Sequence, residues 1–259
     1  MGMDVHALIP ELERAFRATR DAARAAFAKP PKEERMKRDG TLVTALDHEL
    51  EERLANTLLD LDPDWGVWGE EDGEIRAGTR SWHLDAVDGT LNFAKRIPLF
   101  VSQAALLDGT DPLVAVIYDP LQDKFAWAAK GEGAWQEGQR LQVANRDIQD
   151  ALLLVDLAKS GLLMSRPEFL PKLRRSVFRM RALGCAGMQF LSVAEGTADA
   201  FLSTRRKPSP LHDLAPGTLL VREAGGLVTN LEGEDALQDR RCVLAAHESL
   251  HEALRDQLD

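Results

Sequence analysis

The residues best suited to chemistry lie in one short stretch, Trp82-His83-Leu84-Asp85-Ala86-Val87-Asp88-Gly89-Thr90. The apolar run Trp82 to Leu84 predicts a buried strand ending at Asp85. Asp88-Gly89-Thr90 then predicts a turn, with a helix starting near Thr90. Two carboxylates three positions apart at a strand end suit a hard divalent cation, since Mg²⁺ takes oxygen ligands and commonly bridges protein carboxylates to phosphate. The helix N-terminus beside them offers N–H groups and the positive end of a dipole, which suit a phosphate. Metal and phosphate would meet at one place.

Other carboxylates sit in comparable settings. Trp65-Gly66-Val67-Trp68 predicts a strand, and Gly69-Glu70-Glu71-Asp72-Gly73 follows it, so Glu70 mirrors Asp85. Asp213 precedes a predicted helix, Leu214–Ala224, and Thr44-x-x-Asp47 approximates a capping box. Each also has a plain structural role: Asp213 as an N-cap, Asp88 in a turn, Glu70 as a solvated loop charge, Asp47 as a cap. Gathered together they would need neutralising. Two carboxylates at about 4 Å repel by roughly 4 kcal/mol even at an effective dielectric of about 20.

The elements that must position these groups follow from periodicity. Val5, Leu8, Ile9, Leu12, Phe16, Ala23 and Phe27 predict one amphipathic helix, stopped by Pro30-Pro31, with a charged loop from Lys32 to Gly40. Leu46, Leu50, Leu54, Leu58 and Leu61 stripe a second helix, whose other face carries His48, Glu49, Glu51, Glu52 and Arg53. Val101–Leu107, Leu113–Tyr118 and Phe125–Ala129 predict an antiparallel meander. Trp127 and Trp135 are expected in the core, and Gly131-x-Gly133 as a turn. Strands at Leu152–Val155, Phe178–Leu183, Ala198–Leu202, Leu227–Thr229 and Cys242–Ala246 then alternate with helices at Pro171–Val177, Gly184–Glu195, Leu214–Ala224 and Glu248–Leu258. An α+β half over residues 1–146 and an α/β half over 147–259, which contributes Asp213 and a basic loop, are expected to fold as one unit.

Bulk properties exclude some functions. A net charge of −10 over 259 residues offers no broad basic surface for a nucleic acid polymer. No apolar run spans a bilayer and the N-terminus lacks a signal-peptide core, so no membrane partner is expected. Cys185 and Cys242 lack metal-ligand spacing and are expected as reduced thiols in a cytoplasmic protein.

Taken together, the motifs resemble the inositol monophosphatase family, in the wider group of lithium-sensitive, Mg²⁺-dependent sugar and nucleotide phosphatases. The resemblance rests on Val43-Thr44-Ala45-Leu46-Asp47, Trp68-Gly69-Glu70-Glu71, Asp85-Ala86-Val87-Asp88-Gly89-Thr90-Leu91-Asn92-Phe93 and Asp213-Leu214-Ala215-Pro216-Gly217, running into Glu223-Ala224-Gly225-Gly226. Tyr118-Asp119-Pro120 and Gly131-Glu132-Gly133-Ala134 are secondary matches. It implies a layered αβαβα sandwich of the inositol monophosphatase and fructose-1,6-bisphosphatase type, with the site between the halves. Glu70, Asp85 and the Val87 carbonyl would hold one Mg²⁺; Asp85, Asp88 and Asp213 would hold a second, with a third, weaker ion near Glu70. Asp47 and Thr90 would activate water, and Gly89 and Thr90 would bind phosphate. The implied reaction is hydrolysis of a small phosphorylated metabolite by metal-activated water attack. Homodimers are common in such proteins.

Substrate choice departs from the family pattern. Ser203-Thr204-Arg205-Arg206-Lys207 stands where many inositol-specific members carry an acidic residue, His212 stands where Trp is common, and Cys185, before Ala186, replaces a usual Ser. Arg205, Arg206 and Lys207, with Arg96, would meet a second anionic group, as on a sugar bisphosphate, a 3′-phosphonucleotide such as a 3′-phosphoadenosine nucleotide, or NADP(H), or form a solvated basic loop. Two alternatives stand beside the hydrolase: a phosphate- or metal-binding regulatory protein without turnover, and a haloacid dehalogenase-type phosphatase. The latter needs Asp-x-Asp, whereas Ala86 and Val87 both separate Asp85 from Asp88.

Overall fold

A computed structural model describes residues 4–29, 34–36, 42–157 and 161–258. The first apolar stripe forms two helices rather than one, α1 (Val5–Ala18) and α2 (Arg20–Phe27). The break falls at Thr19, the polar residue of the stripe, whose hydroxyl donates to the Phe16 carbonyl at 2.6 Å. The Pro30-Pro31 stop lies outside the described residues. Of the expected loop from Lys32 to Gly40, residues 34–36 form strand β1 (Glu34–Met36), antiparallel to β2 (Leu42–Thr44). The second predicted helix is α3 (Ala45–Leu61).

Eight strands follow in one sheet: β3 (Trp65–Gly69), β4 (Gly73–Arg76), β5 (Arg80–Asp88), β6 (Val101–Asp108), β7 (Asp111–Asp119), β8 (Lys124–Ala129), β9 (Gly133–Gln136) and β10 (Gln139–Arg140). A short helix, α4 (Thr90–Ala94), leaves the end of β5. The order is β10-β9-β8-β7-β6-β5-β3-β4. The predicted meander forms its body, and β3 runs parallel to β5 with Gly69 level with Leu84. That register sets the end of β3 beside Leu84 and Asp85, and β5 runs on to Asp88, past the end predicted at Asp85.

The second half builds five strands, β11 (Leu152–Asp156), β12 (Arg179–Arg181), β13 (Ala200–Ser203), β14 (Leu227–Thr229) and β15 (Leu244–Ala246), ordered β12-β11-β13-β15-β14. Its helices are α5 (Leu162–Ser165), α6 (Phe169–Ser176), α7 (Ala186–Ala194), α8 (Leu211–Glu223), α9 (Ala236–Asp239) and α10 (Glu248–Arg255). The one-turn helices α5 and α9 are too short to carry a periodic signal. Helix α8 begins three residues before the predicted Leu214, so Asp213 lies in its first turn and Pro210 is the N-cap.

Three apolar cores define the layers. One packs α1 and α3 on the large sheet through Leu12, Phe16, Leu50, Leu54, Leu84 and Leu106. A second fills the space between the sheets, where α7 and α8 contribute Phe190, Leu214 and Leu220. The third packs α5, α6 and α10 on the far face of the small sheet through Leu163, Leu173 and Leu250. The result is the expected αβαβα sandwich. Close contact between α7 and α8 depends on Gly217, where a Cβ would lie 2.2 Å from the Phe190 ring. Trp127 and Trp135 are half-buried and stack on each other across β8 and β9, with centroids 6.1 Å apart.

Candidate active site

A bulge brings the central carboxylates together. Along β5 and β6, Asp85 pairs with Gln103 but Asp88 pairs with Val101, so β5 holds one extra residue. On a regular strand, side chains three positions apart face opposite ways. The bulge re-aims them. Asp85 and Asp88 therefore share the face turned toward α7 and α8, while Ala86 and Val87 pack into the opposite core. The Val87 N–H donates to Asp85 Oδ1 at 3.0 Å, fixing the bend. The end of β3, level with Leu84, adds Glu70, whose N–H donates to the Leu84 carbonyl at 3.0 Å.

Four helices start at this cluster. Asp47 lies in the first turn of α3 and Thr90 opens α4. The Gly187 N–H, in the first turn of α7, donates a short hydrogen bond to Asp88 Oδ2. Asp213 lies in the first turn of α8. Converging N-termini are electropositive and stabilise anions. Gly89 makes the turn into α4 with φ at +92°, and a Cβ there would meet the Leu99 carbonyl at 2.8 Å. Only glycine takes this conformation without strain.

Asp47 has two roles. Its Oδ2 accepts from the Thr44 N–H at 2.9 Å and the Thr44 hydroxyl at 2.5 Å, which caps α3. Its Oδ1 lies 3.2 Å from the Thr90 hydroxyl, which is also 3.0 Å from the Val87 carbonyl. Burial holds the Asp47 carboxyl above its ordinary range against these hydrogen bonds. Burial, then the charges of Glu70, Asp88, Asp213 and Asp47, push Asp85 well up. Burial and the Asp213 charge push Asp88 up to about 7.

These shifts mark a cluster that protons or cations must neutralise. Its donors are oxygens, the preferred ligands of Mg²⁺. The Gln103 amide, fully buried and paired in register with Asp85, has no hydrogen-bond partner for either polar atom, which adds polar capacity beside the carboxylates. The residues fit a hydrated divalent ion. Glu70, His212 and Asp213 each place a ligand atom within 4.8 Å of the others.

The predicted substrate residues divide. Ala186 and Arg205 line a cleft with Asp213, Asp156, Ser203, Ser209 and Phe190. Arg205 Nη1 lies 3.3 Å from Asp213 Oδ2. Arg206 instead lines another cavity, with Arg166, Asn230 and Cys242. The Cys185 thiol donates toward the Asp88 main-chain carbonyl and Oδ2, both at 3.4 Å, and burial pushes its pKa up. Lys207 is exposed. Arg96 is exposed and bonds the Ala28 carbonyl at 3.2 Å, away from the basic loop.

Three further residues emerge only in the structure. Glu51, expected on a solvated face, is 1% exposed and accepts from the Glu71 and Asp72 N–H groups at 3.0 and 2.9 Å. It grips the turn that carries Glu70, and a Cβ on Gly69 would lie 2.2 Å from its Oε1. Asn92 donates to the Leu99 and Leu183 carbonyls at 2.8 and 2.7 Å, tying α4 to the approach to α7. Asp156 supplies an acidic group to the cleft, where the basic loop alone implied none. Its position at a strand end, like those of Glu70 and Asp88, was the available signal.

Fold and cluster together define a phosphomonoester hydrolase. Residues 6–259 match the model of the inositol monophosphatase family, and the chain belongs to that family. A fructose-1,6-bisphosphatase/inositol-1-monophosphatase of Aquifex aeolicus is 30% identical over 225 residues, covering 81% of this chain and 79% of that protein. A Nus factor SuhB of Xylella fastidiosa is 32% identical over 194 residues, covering 74% and 70%. The solved structure of the extragenic suppressor protein suhB from Bartonella henselae superposes with a TM-score of 0.89 at 26% identity, over 98% of each chain. Among the described residues no helix is long and apolar enough to cross a membrane.

Proposed function

We propose that the protein is a Mg²⁺-dependent phosphatase that hydrolyses a small phosphorylated metabolite by direct attack of water. The observation that carries this reading is the joining of Asp85, Asp88, Glu70 and Asp213 at one point beside the Thr90–Asp47 pair, with a 3.2 Å contact between the latter two. Glu70, Asp85 and the Val87 carbonyl would hold one ion, and Asp85, Asp88 and Asp213 a second, with a third, weaker ion near Glu70. Bound Mg²⁺ supplies Lewis-acid charge to the phosphoryl and leaving oxygens and acidifies water.

The chain's own groups orient the reaction. The Thr90 hydroxyl shares its proton with Asp47 and Val87, leaving lone pairs to accept from the attacking water. Asp47, held above the usual carboxylate range by burial, is the better base for that proton. N–H groups of Gly89 and Thr90 at the start of α4 would hold phosphate oxygens. No protein nucleophile is required, since phosphoryl transfer is mostly positioning and charge neutralisation. The halves 1–146 and 147–259 act as one catalytic unit, because Asp213 and the Gly187 N–H that holds Asp88 come from the second and the other ligands from the first.

For the substrate, Asp156, Ser203 and Ser209 offer acceptors for sugar hydroxyls, and Arg205 a cation for a second anionic group. A sugar bisphosphate, an inositol monophosphate or a 3′-phosphonucleotide fits that mixture. Lithium sensitivity, a homodimer and a cytoplasmic location complete the proposal.

Phosphate release from inositol 1-phosphate, fructose 1,6-bisphosphate, 3′-phosphoadenosine 5′-phosphate, NADP⁺ and histidinol phosphate, at fixed Mg²⁺ and with or without lithium, tests it. Mg²⁺-dependent turnover lost in Asp88→Asn is the expected result; turnover that survives this change would place the metal site elsewhere. The Nus factor name of the Xylella relative favours a second reading, a regulatory role on the same fold. Mg²⁺ binding without turnover on any substrate would support that reading.

A further inference from the structure

We infer that His212 is itself a metal ligand, and that Glu70, His212 and Asp213 form a mixed nitrogen–oxygen site that prefers a first-row transition ion to Mg²⁺. The inference rests on the metal-dependent reading of the cluster and adds a ligand to it. His212 is 7% exposed in the first turn of α8, with Nε2 3.5 Å from Asp213 Oδ1. One ligand atom each from Glu70, His212 and Asp213 falls within 4.8 Å of the others. Ligands on opposite sides of an ion bound at about 2.1 Å are roughly 4.2 Å apart, so small side-chain movements close the three around one centre.

Donor chemistry then decides the ion. An all-oxygen set suits Mg²⁺, which dehydrates reluctantly, whereas imidazole favours transition metals, with affinity rising along the Irving–Williams order. The neighbouring histidine does not compete for this role. His83 stacks on Trp68, with centroids 6.3 Å apart, and its Nε2 meets the Ser81 hydroxyl at 3.1 Å.

Mn²⁺ is the probe, because its electron spin reports directly bound nitrogen. Pulsed EPR on Mn²⁺-loaded protein should show ¹⁴N coupling that His212→Gln abolishes and His83→Gln leaves intact. Mn²⁺ affinity, measured by titration, should fall at least about tenfold in His212→Gln, as expected for a lost ligand interaction, while Mg²⁺ affinity changes far less. Mn²⁺ bound without nitrogen coupling, coupling retained in His212→Gln, or equal losses for both ions would overturn the inference and leave the carboxylate site standing. Failure to bind either ion would overturn both. If His212→Gln does not fold, the wild-type and His83→Gln spectra still decide, since absent coupling in the wild type or coupling lost in His83→Gln refutes the assignment.

Discussion

Asp47 joins a structural task to a chemical one, and its two oxygens separate them. Oδ2 receives both groups of Thr44, and Oδ1 faces Thr90. Asparagine keeps an acceptor for the cap but cannot take a proton. Asp47→Asn should therefore lower kcat/KM by at least about a hundredfold, the scale of general-base catalysis. Its stability cost should stay near or below about 1 kcal/mol, the usual size of a cap effect. Steady-state kinetics and urea unfolding on one preparation check both. Full activity in Asp47→Asn would reduce the residue to a cap. The capping spacing was visible in the sequence; contact with Thr90, forty-three positions away, came only through the family resemblance. Glu51 escaped notice because charged residues around it mark a solvated face, yet it stands four positions after Asp47 and so on the same side of α3.

Among the elements, β3 and β5 and the four helix starts do the positioning. Their existence was legible, because apolar strands ending in Asp or Glu and helices opening at Thr44 and Thr90 leave local signals. The extra residue in β5 was not, since a bulge is defined by its partner strand. The early start of α8 was hidden as well: Pro210 at the cap and Leu211 inside the helix looked like loop. Helix α3 holds the β3–β4 turn through Glu51, which predicts an effect on Glu70 at a distance. Glu51→Gln keeps one acceptor and sets an amide N–H₂ against the other backbone donor. Stability should fall by about 1–3 kcal/mol, as for an unsatisfied buried donor. Mg²⁺ affinity should fall by about 10–100-fold, as for lost outer-shell support of a metal ligand. Isothermal titration and thermal unfolding measure the two. Unchanged Mg²⁺ affinity in a destabilised variant would make Glu51 a folding residue alone.

Across the whole molecule, buried titratable groups pull stability in opposite directions with pH. Asp88 has a folded-state pKa raised to about 7 from 3.8, and burial beside the other carboxylates pushes Asp85 well above its ordinary value too. Such groups favour the fold fully below the unfolded value and lose that contribution as pH rises through the folded one. His83 and His251 are lowered by burial to about 4 from 6.5, with His251 also held by the Thr229 hydroxyl at 2.9 Å. Their contribution is complete above the unfolded value and is lost as pH falls toward 4. Over about pH 4–6.5 the two sets oppose one another. Because burial raises Asp47, Glu51 and Asp156 as well, metal-free protein should lose stability from about pH 5 to pH 8. A divalent ion binds the ionised carboxylates, so it cancels the loss on the alkaline side and leaves the histidine side unchanged. Thermal unfolding with EDTA and then with excess Mg²⁺ should show Tm rising by about 5 °C or more at pH 8 and much less at pH 5. The stability maximum should move above pH 7. An equal rise at both pH values would mean that the ion binds somewhere other than this cluster, because only ligands still protonated at pH 5 make the gain depend on pH.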